Sequence, residues 1–92
     1  MQLIKEQESN KTHISVVVNS RTINIGTIEQ TEECKWCACF FRNRFRIISH
    51  CISEEDAIIY MAQYAVVGDK ISTDDYHRLW NILFPEDKIV IQ

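Results

Sequence analysis

Cys34, Cys37, Cys39, His50 and Cys51 carry enough thiolate and imidazole for a tetrahedral zinc site, and a Cys beside a His can also act as nucleophile and base. Spacing argues against both. Residues 36–51 read as a hairpin, and along a strand alternate side chains face opposite ways. Cys37, Cys39 and His50 then share one face, Cys51 faces the other, and Cys34 lies in the preceding loop. Same-face neighbours on one strand stand about 7 Å apart, whereas structural zinc ligands converge from tight turns. Small buried thiols in a reducing compartment are the expectation for Cys37 and Cys51, with a metal site and a functional disulfide as the alternatives. His50 and Cys51 are neighbours on a strand and cannot share a hydrogen bond there. Cys37 opposite His50 is better placed, but no acid stands ready to orient the imidazole and no Gly-rich turn offers an oxyanion hole. The chain is expected not to be an enzyme and to need no cofactor and no metal.

Carboxylate pairs at Glu54-Glu55-Asp56 and Asp74-Asp75 could do acid/base work, yet both fall in first helical turns, where capping and the helix dipole account for them. The segment Phe41-Arg42-Asn43-Arg44-Phe45-Arg46 is different: three guanidinium forks and two aromatics at a hairpin tip. Arginine forks grip phosphate and carboxylate bidentately, and an exposed Phe41 can stack on a base or on Arg46 across the strand. Phe41, Arg42, Asn43, Arg44 and Arg46 are therefore the candidate partner-binding residues. The competing reading is a solubilising hairpin whose arginines pair with the acidic helices.

The net charge of −3 conceals a division along the chain. Residues 1–33 sum to −2, residues 34–53 to +4 with no acid among them, and residues 54–92 to −5. A general polyanion binder would be basic overall, so the charge suggests a local basic patch. Ninety-two residues fit one domain, numbered 1–92, and leave little room for a deep cofactor cleft. Residues 1–10 are expected to be a strand, a frayed helix or a tail, and residues 1–12 a flexible or loosely attached N-terminal segment. The uncharged stretch Ala57–Gly68 is far short of the roughly 20 residues that span a bilayer, and the N-terminus has no signal-peptide design. A soluble cytoplasmic protein without membrane contact is expected.

The elements that must position these residues follow from periodicity. Ile14, Val16 and Val18 alternate with polar or smaller neighbours, Asn19-Ser20 is turn chemistry, and Arg21–Ile25 resumes the alternation. A two-residue loop pairs Val16 with Ile23 and Ile14 with Ile25, and Gly26 marks a bulge where Ile25 and Ile28 fall out of phase. In the second hairpin, with Asn43-Arg44 as the turn, paired residue numbers sum to 87. Trp36, Ala38, Phe40, Phe45 and Ile47 form its core face. Ser53 and Ser72 open two helices, the first with Gly68 as a left-handed stop and the second ended by Pro85. On the first helix Ala57, Ile58, Met61, Ala62 and Ala65 point inward, while Ile59, Tyr60 and Val67 form an apolar back open to a partner or a second copy. Lys88–Ile91 is a candidate closing strand. The expected fold class is α+β: an antiparallel β-sheet of four to five strands, in two hairpins and a possible C-terminal strand, with two α-helices on one face.

From Ile14 to Ala65 the chain resembles a layout of small proteins from phages and mobile elements. The resemblance rests on a hairpin closing in Arg21-Thr-Ile-Asn-Ile-Gly26-Thr-Ile, a strand Trp36-Cys-Ala-Cys-Phe40 and a Ser-Glu-Glu-Asp-Ala helix start. Among such proteins it is similar to the anti-CRISPR type, which are short, single-domain and non-enzymatic. The resemblance implies an inhibitor that docks on a host protein or ribonucleoprotein complex and blocks target DNA or nuclease recruitment. Many of those inhibitors present acidic surfaces, whereas the concentrated charge here is basic, so no functional residues are carried across. The alternatives are a nucleic-acid-binding module using the Arg-rich hairpin, and an oligomerising structural protein. The oligomeric state expected is monomer or homodimer.

Overall fold

The computed structural model describes residues 1–89. Five strands come first, β1 (Gln2–Glu8), β2 (Lys11–Val18), β3 (Arg21–Glu29), β4 (Trp36–Arg42) and β5 (Phe45–Cys51), followed by helices α1 (Glu54–Val67) and α2 (Thr73–Leu83). Each strand pairs antiparallel with the next, giving the spatial order β1-β2-β3-β4-β5. Both helices lie on one face of this meander: α1 crosses β3, β4 and β5, and α2 packs on α1. The architecture is the α+β class that the alternation indicates. The fifth strand is β1, paired along its length with β2, and Lys5 Nζ reaches Glu54 Oε1 of α1 at 2.6 Å.

At the β2–β3 turn Asn19 and Ser20 take φ of 51° and 65°, the mirror-image turn whose twist suits a two-residue hairpin. Val16 pairs with Ile23 as the pattern requires. Ile14, however, pairs with Gly26 and not with Ile25, because a bulge between Ile14 and Ser15 consumes Ile25 as the extra residue. The bulge has a packing purpose. It turns Ile25 into the core beside Ile14, Val16 and Ile28, so both phases of β3 contribute to one face. Gly26 sits at φ 146°, and a Cβ on it would stand 2.5 Å from Met61 Sδ and 2.7 Å from the Cys39 carbonyl oxygen. Only glycine satisfies both the backbone angle and the contact.

The helices begin where capping chemistry puts them. Ser53 Oγ accepts the Asp56 amide at 3.1 Å, and Ser72 Oγ accepts the Asp75 amide at 3.0 Å. The end of α1 differs from expectation: Gly68 has φ −86°, and the left-handed residue is Asp69 at φ 58°. Two bonds, Asp69 N–H to Val66 O at 3.1 Å and Lys70 N–H to Ala65 O at 2.8 Å, close a Schellman turn one residue later than the glycine suggested. That turn fixes where Lys70 stands.

The closing strand does not form at Lys88 and Ile89. Asn81 of α2 takes both backbone groups of Ile89 that a ladder would use, accepting its N–H at 2.6 Å and donating to its carbonyl at 2.9 Å. The remainder of that expected strand lies outside the described residues. Among the described residues no helix is long and apolar enough to cross a membrane.

Candidate functional site

In the β4–β5 hairpin every pair obeys the expected register, from Trp36 opposite Cys51 to Arg42 opposite Phe45. Asn43 makes the turn with φ 58°. The alternation therefore sets one Phe and one Arg on each face of the tip: Phe41 with Arg46 on the open face of the sheet, Phe45 with Arg42 on the helix side. Helical cover ends before the tip. Phe41 is 65% exposed and Phe45 73% exposed, so Phe45, which alternation assigns to the core face, lies outside the core. Its strand parity is correct; no helical turn lies over it.

The three arginines have different attachments, and none of them reaches a helical carboxylate. Arg42 lies over the Tyr64 ring, its Cζ 5.5 Å from the centroid. Arg46 meets Glu29 of β3 at 3.0 Å. Arg44, at the turn, makes no ion pair among the described residues. The reading of a hairpin neutralised by acidic helices is thus replaced by one contact to the sheet and one to an aromatic ring.

Glu29 anchors the base of the site. Its carboxylate accepts from the Cys39 thiol at 2.8 Å and pairs with Lys11 at 3.3 Å as well as Arg46. The Cys39 hydrogen bond, with the two cations adding to it against partial burial, holds the Glu29 carboxyl below its ordinary range. Burial and the neighbouring carboxylate push the Cys39 thiol up to about 12. Burial likewise raises the thiols of Cys37 and Cys51. These are protonated thiols at neutral pH, without the depressed pKa of activated cysteines. All four cysteines are unpaired; Cys37 and Cys39 are buried on the open face, Cys51 is half-buried on the helix side and Cys34 is half-exposed in the loop. No group of three potential metal ligands converges among the described residues.

The second candidate surface does not survive. Ile59, expected on an open back of α1, is only 6% exposed and belongs to the same buried cluster as Leu79, because α2 covers that side of the helix. Tyr60 is half-buried, its ring 5.8 Å from Phe40 and 5.3 Å from Tyr64, so it supports the hairpin from beneath. Only Val67 of that apolar back remains exposed. The oligomer reading loses two of the three residues that carried it.

Sequence reasoning missed one feature beside the tip. β3 and β4 pair only from Thr27–Cys39 to Glu29–Cys37, although β3 continues back to Arg21 and β4 forward to Arg42. Beyond Gly26 and Phe40 the two hairpins part, and cavities of about 290 Å³ and 300 Å³ flank the gap. Gly26 was the available signal, since a bulge next to a strand pair redirects one strand. Tyr64 and Lys70, which line the helix-side opening with the tip residues, carry no mark in the sequence that separates them from ordinary helix and loop positions. Comparison with known protein families, curated proteins and solved structures gives no match, so the tip and gap are read on their own geometry.

Proposed function

We propose that this is a non-enzymatic binding protein that docks on a partner through the β4–β5 tip, with Phe41, Arg42, Asn43, Arg44 and Phe45 as the contact residues and Arg46 as their inner support. One observation carries the reading: two phenylalanines stand mostly exposed at the end of a hairpin, each with an arginine directly across the strand. Aromatic and arginine side chains are the residues that dominate interface energetics once desolvated. A finger bearing such a pair on both faces suits insertion into a groove better than lying on a flat surface. This is also the form of an inhibitor of the anti-CRISPR type, which would hold its place on a host protein or ribonucleoprotein complex sterically, in the cytoplasm.

A protein surface is favoured over nucleic acid by what surrounds the tip. The open face behind Phe41 carries Glu6, Glu8 and Glu29 beside Lys11 and His13, and a phosphate backbone needs a continuous basic track. The test is capture of the partner by the immobilised chain from lysate of the cells that produce it, with and without nuclease, compared with the variant F41S/R44E/F45S. The expected result is capture that resists nuclease and high salt and disappears in the variant, whose melting temperature stays near that of the parent. Capture unchanged by the variant overturns the reading, and capture abolished by nuclease with a steep salt dependence transfers it to nucleic acid.

A further inference from the structure

The gap between β3 and β4 is built into the fold. Gly26 has no Cβ, so Met61 Sδ and the Cys39 carbonyl can pack directly against it at the point where the strands part. Past that point β3 is paired only with β2, through Val18–Arg21, Val17–Thr22, Val16–Ile23 and Ser15–Asn24, and β4 only with β5, through Phe40–Ile47, Phe41–Arg46 and Arg42–Phe45. Two strand edges therefore face each other without a ladder between them. An unpaired edge offers amide and carbonyl groups to an incoming extended chain.

The openings on the two sides of the gap share Ile25, Phe40, Phe41 and Lys70. Arg42 joins the lining on the helix side, and His13 and Arg46 join it on the open side. No Asp or Glu lines either opening, in a chain where acids outnumber Lys and Arg by 13 to 10. Lys70 is held at the shared mouth by the Schellman turn after α1, and among the described residues it makes no ion pair.

We infer that this gap receives an extended acidic segment of the protein partner, which adds as a strand to the β4 edge at Phe40–Arg42. The inference deepens the docking function above and rests on it. Backbone pairing to β4 supplies affinity, carboxylates on the helix-side face of the segment reach Lys70 and Arg42, and apolar side chains on its other face meet Phe41. A peptide fits this chemistry and a nucleic acid does not, because only a peptide carries the alternating N–H and C=O groups that a strand edge pairs with.

The probe is a synthetic peptide of alternating Glu and Val, set against a Lys/Val counterpart and a version of the Glu/Val peptide with alternate backbone nitrogens methylated. Binding to the full chain is followed by amide chemical shifts. The Glu/Val peptide is expected to move the amides of Asn24–Gly26 and Phe40–Arg42, and both control peptides to leave them in place. The exposed substitution Lys70→Glu, which leaves the melting temperature near that of the parent, is expected to weaken binding about ten-fold through charge reversal at the mouth. The inference is overturned if the Glu/Val peptide does not bind, if either control binds equally, or if the shifts fall on the outer edges of β1 or β5. Partner capture that is lost in F41S/R44E/F45S but intact in Lys70→Glu overturns the gap as a site while leaving the tip reading standing. Capture indifferent to both removes the tip reading itself.

Discussion

From Trp36 to Phe40 strand β4 is covered on both sides: Tyr60 and Tyr64 of α1 close over Phe40 on one face, and Cys37 and Cys39 are buried among Glu29, Arg46 and their neighbours on the other. From Phe41 to Arg46 β4 and β5, in the same register, have neither cover. Phe40 is 6% exposed and Phe41, the next residue, 65%. Strand alternation treats the two halves alike, since it assigns Phe40 and Phe45 to the same face. What differs is the length of the helix layer. A residue that contributes nothing to the core is free of the packing constraint, which is why the two exposed rings of the tip are the ones proposed to meet a partner.

The sharpest way to break that comparison is to truncate the two adjacent phenylalanines. Phe40→Ala removes the ring that meets Tyr64 at 4.9 Å and Tyr60 at 5.8 Å, and leaves a cavity above Met61. The expected cost is about 3–5 kcal/mol in urea denaturation, a large part of the stability of a domain this size. A cost below about 1 kcal/mol would mean that the base of the hairpin is no better packed than the tip.

How far the sequence revealed this division depends on the range over which each signal acts. Turn chemistry is local, so Asn19-Ser20 and Asn43-Arg44 determine their registers almost completely; the paired numbers of the second hairpin sum to 87 throughout. Serine caps are local too, and Ser53 and Ser72 start their helices where expected. Burial is not local. Alternation places Phe45 on the helix side correctly, but whether a helix reaches that far depends on the crossing of α1 over the sheet. Ile59 fails in the opposite sense, because helical periodicity assigns it an outward angle without knowing that α2 returns to cover it. The parting of β3 from β4 falls at the Gly26–Met61 contact, between residues far apart in the chain, and could be anticipated only as a bulge.

A second and smaller effect probes the sealed half through its protons. Cys37, Cys39 and Cys51 all have raised pKa values, chiefly from burial. The folded state thus holds these protons more tightly than the unfolded chain, whose thiols ionise near 9.0. Their contribution to stability is intact below that pH and is lost as pH rises toward about 12, where the folded Cys39 itself ionises. Urea midpoints measured at increasing pH should fall beyond about 9, and Cys39→Ala should flatten part of the decline. In acid the sign reverses through Glu29: its lowered pKa stabilises the fold above the ordinary carboxyl value of 4.5, and that contribution disappears as pH falls through the folded value. A flat alkaline profile would show that the thiols are as accessible as the tip.

The smallest expected effect on stability is the one that bears most on function. Phe41→Ser and Phe45→Ser remove rings that are already mostly in water, and the turn at Asn43 and the pairing of Trp36 to Phe40 do not depend on them. Each should change the unfolding free energy by no more than about 0.5 kcal/mol. Phe41 has the larger share of that, since its ring borders both openings of the β3–β4 gap, whereas Phe45 borders neither. The pair also separates the two faces of the tip. If docking is by insertion, either substitution alone weakens partner capture, because both faces are enclosed. If the tip lies on a surface with one face in water, only one of them does, and the insensitive phenylalanine marks the solvent side. Loss of stability comparable to Phe40→Ala in either variant would place these rings in the core after all and remove the reason for assigning them to a partner.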